Sequence, residues 1–420
     1  MTLIDTQPHT EPSAEFQKAT CRSCGRGGLL PVLDLGETPL ADHLLRTADA
    51  PEDRYPLEVA FCAHCAMVQI IRTVEPEVLF CRDYPYYSSF SDQLLAHSRT
   101  NALALIADRK LGRDSLVVEL ASNDGYLLKN FVEHGIPVLG IDPASGPAKA
   151  AEKVGVRTLN TFFTRDLARQ LREQDHRADV VIANNVLAHV ADTNGFVAGI
   201  ATLLKDDGVA VIEAPYVKDL IEHAEFDTIY HQHLLYLGAT SVDKLARRHG
   251  LYLNKLEWLP IHGGTLRYYL EPVERVGPSV REALETERRL GIDSYPYYQH
   301  FGQRVQQIRT DLRALLSKLK GEGKRIAGYA AAAKACTLLS FAGIGAETLD
   351  FIVDRNVHKH GKFMSGARVP IFGVEKLLDE QPDYCVILAW NFKDEIVRQQ
   401  AEYARRGGRF IVPIPNPEIL

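Results

Sequence analysis

Four cysteines stand as two short pairs, Cys21-x-x-Cys24 and Cys62-x-x-Cys65, within the first 65 residues. Thiolates three positions apart on a tight turn can reach one metal, and a second pair closes a tetrahedral four-sulfur site, the geometry zinc prefers. Such a closed site keeps no open coordination position, so the expected ion is a structural Zn2+ and not a catalytic one. Gly25 and Gly27-Gly28 supply the turn after the first pair, and the 37 residues between Cys24 and Cys62 leave room for a small strand pair. Neither pair opens a thioredoxin-like helix, which argues against redox chemistry. Cys81, Cys336 and Cys385 read as ordinary buried or half-buried thiols.

A second constellation is acidic. Glu119, Ser122, Asn123, Asp124 and Gly125 follow one another closely, Asp142 comes next, and Asn184-Asn185 lies further on. Stepping outward, Ser115–Leu120 is an apolar run that ends in this small-residue loop, and a helical pattern, Tyr126–His134, follows it. Pro137–Ile141 is a second strand ending in Asp142, where a carboxylate can accept from a ribose diol. Ala178–Ala183 ends in Asn184-Asn185, and Gly208–Glu213 completes the series. Strands alternating with helices argue for a parallel sheet that binds its ligand at the strand ends. A dinucleotide would want G-x-G-x-x-G, which is missing here. Glu119 and Asp124 would repel a pyrophosphate but suit a cationic sulfonium, so the expected cofactor is S-adenosylmethionine.

At 420 residues the chain is long enough for two or three domains. Its 46% hydrophobic and 24% charged content is that of a soluble protein, and a net charge of −6 gives no support to nucleic acid as partner. Arg405-Arg406 and Lys318–Arg325 read as solvated helix ends. No run of the ~18–20 apolar residues that span a bilayer occurs. Met1–Gln17 is polar and lacks the apolar core of a secretion signal. A cytoplasmic location follows as the expectation, where seven cysteines would not form a disulfide framework.

Several motifs together resemble one family. Glu119-Leu-Ala-Ser-Asn-Asp-Gly125, Ala183-Asn-Asn-Val-Leu-Ala-His-Val190 and Phe226-Asp-Thr-Ile-Tyr-His-Gln-His233 are similar to the sugar C-methyltransferases of deoxysugar biosynthesis. So are His262-Gly-Gly264, Val353-Asp-Arg-Asn356, Ala389-Trp-Asn-Phe392, the cysteine pairs and Thr38-Pro-Leu-Ala41. These enzymes serve pathways to branched sugars of antibiotics and cell-surface polysaccharides. The resemblance spans nearly the whole chain in the family's order. It implies an α/β protein with a zinc-binding domain (1–80), a central Rossmann-like methyltransferase domain (81–275), and a linking helix with a C-terminal Rossmann-like domain (276–420). The implied substrate is a nucleotide-linked ketosugar, dTDP-linked in expectation, lying between the last two domains; a monomer is expected.

Methylation of a carbon beside a ketone needs a general base, a group for the enolate oxygen, and a methyl held in line. Tyr230-His231-Gln232-His233 offers candidates. If extended, it places His231 and His233 on one face and Tyr230 and Gln232 on the other. An imidazole titrates near neutrality and suits a base. The resemblance makes His233 that base, with Tyr230 and His189 orienting or polarising the sugar and His231 structural. The family usually has glutamate where Gln232 stands. Glutamine keeps shape and hydrogen bonding but no charge, so a carboxylate role fails here. Loss of chemistry, methylation of oxygen or nitrogen, and proton exchange without methyl transfer are the competing outcomes. In Tyr84-Pro-Tyr-Tyr-Ser-Ser-Phe90, the resemblance sets Tyr84 over the cofactor and Tyr87 over the substrate, against a plain core role.

Further on, Val280–Lys320 reads as helical, and Lys324–Tyr329 as a strand before an alanine-rich loop and Lys334. Asp350–Asp354 is a second strand ending in an acid. The loop lacks G-x-G-x-x-G, so bound NAD is not expected. Lys334 at a helix N-terminus suits a diphosphate. Arg355, Asn356 and His358 stand nearby, and Trp390 and Asn391 follow a strand and would line the cleft with His262.

Overall fold

The computed structural model describes residues 13–80, 87–261 and 263–420. Three sheets organise the chain. In the first, Leu30–Pro39, Arg54–Cys62 and Met67–Ile70 form an antiparallel meander, the strand pair expected between the cysteine pairs. Its fourth strand, Leu235–Tyr236, comes from the middle of the chain, with Val68 opposite Tyr236. Leu57–Cys62 is buried without a break, because the sheet is covered on both faces.

The central sheet runs, in spatial order, Tyr252–Leu259, Thr265–Glu271, Leu204–Pro215, Ala178–Asn184, Val117–Leu120, Val138–Ile141 and Thr158–Leu159. The last five are parallel, and the first two add an antiparallel hairpin at one edge. Val117 and Val118 point into different apolar clusters. One holds Leu94, Ala102 and Leu105 of helix Asp92–Arg109; the other holds Phe196, Val197 and Ile200 of helix Thr193–Leu203. Helices on both faces explain why the central strands are apolar runs and not alternating patterns.

The expected helix over Val280–Lys320 is two helices, Pro278–Leu290 and Phe301–Gly321. Gly291 ends the first in the left-handed region at φ 81°, and Pro296 stands in the single turn Tyr295–Tyr298 between them. Tyr298 packs there on Phe61 of the first sheet, ring centroids 4.9 Å apart. Glu287, fully buried, accepts from the N–H groups of Ala239 and Thr240 at 2.6 and 2.8 Å, and so ties the first of these helices to the N-terminus of helix Ala239–Arg247. The third sheet has spatial order Ile371–Phe372, Ile352–Val353, Ile326–Tyr329, Tyr384–Ile387, Arg409–Val412 and Glu418–Ile419, parallel except for the last. Among the described residues, no helix is long and apolar enough to cross a membrane.

Candidate functional site

The four cysteine sulfurs lie within 4.8 Å of one another, Cys21 to Cys65 at 3.4 Å and Cys24 to Cys62 at 3.6 Å. Four Zn–S bonds of about 2.3 Å make a tetrahedron with edges of about 3.8 Å, so the set fits zinc. At 3.4 Å one thiol of the Cys21–Cys65 pair can donate to the other sulfur, which favours one thiolate beside one thiol. The central domain reads the first turn directly: Asn194 Nδ2 donates to the carbonyls of Arg22 and Ser23 at 2.8 and 3.1 Å.

The acidic loop closes the carboxyl end of strand Val117–Leu120. Ala121 and Asn123 adopt positive φ (56° and 48°), and Gly125 follows at 78°. A Cβ on Gly125 would meet Val154 at 3.0 Å, Val156 at 3.1 Å and the Ala151 backbone at 3.2 Å, so glycine lets this loop lie on its neighbours. Asp142 accepts from the N–H groups of Asn123 and Ala144, both at 2.8 Å. It therefore shapes the loop first, and each oxygen keeps a second lone pair for a ribose. Ser88 and Ser89 N–H groups donate to Asn123 Oδ1 and Asp124 Oδ2 at 2.9 and 3.1 Å, laying the segment after Tyr87 across the loop. A Cβ on Gly146 would stand 2.8 Å from the Tyr87 hydroxyl, which places that tyrosine over the helix Ser145–Lys153. Tyr84 and His262 lie outside the described residues.

Glu119 is only 1% exposed, and burial, then the carboxylates of Asp142, Asp124 and Glu213, raise it well above the usual carboxylate range. It is thus not the free anion that its place in the sequence suggests. Buried, mutually repelling acids are stabilised by an incoming cation, and here the fit to a sulfonium with an amino group is good. Among the described residues, Glu119 Oε2, Ser122 Oγ, Asp124 Oδ1 and Asn184 Oδ1 are buried with no hydrogen bond, which leaves polar atoms for a ligand. Asn185, at φ 55°, gives its N–H to the Glu213 carbonyl at 2.8 Å.

Tyr230–His233 is a turn and not an extended strand, so its side chains do not alternate as expected. His231 points to the first sheet: Nε2 meets the Pro56 carbonyl at 3.1 Å, and its ring abuts Tyr55. Tyr230 and His233 instead share a side, ring centroids 4.0 Å apart, and His189 meets His233 edge-on at 4.8 Å. His233 Nδ1 lies 2.7 Å from the Thr228 carbonyl, which can only accept, so that nitrogen carries the proton. Nε2 of the neutral ring is then the acceptor, 2.9 Å from the Tyr230 hydroxyl. Desolvation lowers His189 to about 4, so it is neutral at physiological pH. Gln232 is buried.

The C-terminal domain reaches the same turn. Lys334, in the first turn of helix Ala333–Ala342, has Nζ 3.0 Å from Asn391 Oδ1 and 4.6 Å over the Trp390 ring. Trp390 Nε1 donates to Asp227 Oδ2 at 2.8 Å. Burial raises Glu225 to about 8 against the opposing charge of Lys334. Arg355 and His358 are exposed, and Arg355 stands 3.6 Å from Glu395. Asn356 accepts from the His358 N–H at 3.0 Å and so caps its own turn. Asp354, placed as the ribose acid of a dinucleotide site would be, accepts from the Ala331 and Asn356 N–H groups at 2.8 and 2.7 Å. Asp227, Glu225 and Thr228 were not among the residues expected at the site. Asp227 and Thr228 were inside a recognised motif, but nothing in their types marked the partners they find across domains.

Comparison with known proteins gives this geometry a family. Over 405 residues the chain is 35% identical to the C-methyltransferase NovU of Streptomyces niveus, covering 95% of this chain and 96% of that protein. The chain belongs to the C-methyltransferase family. Family models agree along its length: "Putative zinc binding domain" over residues 21–80, "Methyltransferase domain" over 89–256, and "C-methyltransferase C-terminal domain" over 260–415. The ubiquinone biosynthesis O-methyltransferase of Rhodopseudomonas palustris (strain BisA53) is 26% identical over 96 residues, 23% of this chain and 38% of that protein. Among solved structures, the magnesium protoporphyrin IX methyltransferase of Synechocystis PCC 6803 with bound SAH matches at TM-score 0.34 and 18% identity, covering 42% of this chain and 82% of that chain. The family member is thus an enzyme, a C-methyltransferase with a Rossmann-like S-adenosylmethionine domain and a zinc-binding N-terminal unit.

Proposed function

We propose that the enzyme methylates a nucleotide-linked 4-keto-deoxysugar at the carbon next to the ketone, with His233 as general base. The observation that carries this reading is the His233 tautomer, with Nδ1–H given to the Thr228 carbonyl and Nε2 left as acceptor beside Tyr230. Nε2 takes the proton from the carbon, and the electron pair moves onto the carbonyl oxygen as an enolate. The Tyr230 hydroxyl, released from Nε2 as the substrate carbon arrives, is placed to donate to that oxygen. His189, neutral at physiological pH, packs against His233 and adds no repelling charge when His233 takes up the proton. S-adenosylmethionine, held by the loop Glu119–Gly125, Asp142 and Asn184, supplies an electrophilic methyl group. Gln232 contributes shape without charge.

Lys334, Trp390 and Asn391 form the proposed seat of the nucleotide diphosphate, taken as dTDP; Arg355, Asn356 and His358 would stand at its rim. A monomer in the cytoplasm is the proposed working form. The test is incubation with S-adenosylmethionine and a panel of 4-keto-6-deoxy nucleotide sugars in deuterated water. Methyl gain at carbon, lowered about 10²–10⁴-fold in His233→Asn with binding retained, supports the reading. Deuterium uptake without methyl gain, or full turnover in His233→Asn, would sink it.

A further inference from the structure

The turn that supplies the backbone acceptor of His233 is too short to hold its own shape. Phe226–Thr228 is a single 3-10 turn, and such turns depend on their surroundings. A contact from the C-terminal domain reaches the turn and passes along it to His233. Trp390 Nε1 donates to Asp227 Oδ2 at 2.8 Å. Asp227 is bonded directly to Thr228, whose N–H and hydroxyl both donate to the Glu225 carbonyl, at 3.1 and 2.8 Å, and close the turn. The carbonyl of Thr228 then accepts the Nδ1–H of His233 at 2.7 Å.

We propose that Asp227 is a positioning residue, through which Trp390 of the C-terminal domain fixes the Thr228 peptide and so keeps the His233 proton on Nδ1. The catalytic consequence rests on the reading of His233 as base; the linkage itself rests on the geometry of four residues. Asp227 is fully buried and its Oδ1 has no hydrogen-bond partner, so the Trp390 donor on Oδ2 is the contact that holds this side chain. Next along the chain, the Ile229 carbonyl accepts from Thr337 Oγ1 at 2.8 Å, a second grip from the C-terminal domain on the same turn. Lys334 lies over the face of Trp390 and acts electrostatically on Asp227 and Glu225. A phosphate group drawn to Lys334 therefore acts on the side chain that sets the turn. Seating of the substrate's far end and orientation of the base become one event, an economical way to spend remote binding energy on the reacting centre.

The test uses the full chain with histidine ring nitrogens observed by NMR, the His233 signals assigned by their loss in His233→Asn. Wild type should show the Nδ1–H form. Trp390→Phe keeps the ring under Lys334 but removes the donor, and Asp227→Ala removes the acceptor. Both should give mixed tautomers at His233 and lower kcat about 10-fold or more, the scale of one lost hydrogen bond to a charged group. The dissociation constant for S-adenosylmethionine should stay at the wild-type value. Asp227→Asn still offers an oxygen to Trp390 and should restore the tautomer and most of kcat. If Asp227→Ala fails to fold, Trp390→Phe carries the test. An unchanged His233 tautomer in Trp390→Phe overturns the proposal even where turnover falls, since that loss would come from substrate contacts of Trp390. A shifted tautomer in Trp390→Phe with full turnover in His233→Asn supports the linkage and removes the base assignment instead.

Discussion

Replacing Arg267 by methionine should destabilise the central domain at neutral pH and much less in acid. Arg267 on the hairpin strand and Glu213 at the end of the neighbouring strand are 8% and 2% exposed at their side chains, with Nε 2.7 Å from Oε1. Breaking one side of a buried pair costs about 3–5 kcal/mol, because the other charge is left without its partner. Two features set the value at the lower end. His97 Nε2 stays 2.9 Å from Glu213 and donates to its carboxylate, which can only accept. The second contact of Arg267, with Glu257 at 3.2 Å, involves a carboxylate that is 32% exposed and adds less than about 1 kcal/mol. We therefore expect a loss of about 3 kcal/mol at pH 7.5. Burial alone would raise Glu213, but His97 and Arg267 outweigh it and hold the group below its ordinary range. In wild type its contribution is present above the unfolded value near 4.3 and is lost as pH falls through the lower folded value. In Arg267→Met the balance reverses: burial dominates and Glu213 binds its proton at a higher pH. The penalty then shrinks between pH 7.5 and 5. Denaturant midpoints followed by the fluorescence of Trp258, on the adjacent strand, measure both values. A loss under about 1 kcal/mol at pH 7.5, or one that persists undiminished at pH 5, would refute the reasoning.

Zinc should be found at one ion per chain, and chelation or Cys24→Ser should lower the melting temperature, because the metal closes a site that chain geometry alone does not bond; a chain that takes up no zinc after reconstitution contradicts this. Gly125→Val puts a side chain 3.0–3.2 Å from Val154, Val156 and Ala151 at positive φ, so affinity for S-adenosylmethionine should fall about 10-fold or more by calorimetry; wild-type affinity would show that the loop yields. The His189 ring should titrate near 4 by NMR. Since its folded value is depressed, its contribution to stability is present above about 6.5 and declines as pH falls toward 4; titration near 6.5 would place the ring in water.

Much of the site was legible because its chemistry is carried by local spacing. Cysteine pairs three residues apart can only turn toward a common point, and apolar runs ending in Asp, Asn and Gly can only be strands with loops at one edge. The same locality explains the family resemblance and the assignment of the Glu119–Gly125 loop. The helix expected from Val280 to Lys320 failed because a break at Gly291 depends on where Tyr298 lands on the first sheet.

By itself, then, the sequence determined the cysteine cluster, the acidic loop at the end of a strand, and the residue types gathered in Tyr230–His233. The family resemblance chose between two histidines two positions apart, and only the tertiary structure supplies the physical reason that sets them apart. His231 turns to Pro56 and His233 to Tyr230 and His189, because strands from the N-terminal domain and side chains from the C-terminal domain bond the turn from opposite sides. Tautomer, burial and charge state at that turn are properties of groups distant in the chain, and no local pattern encodes them.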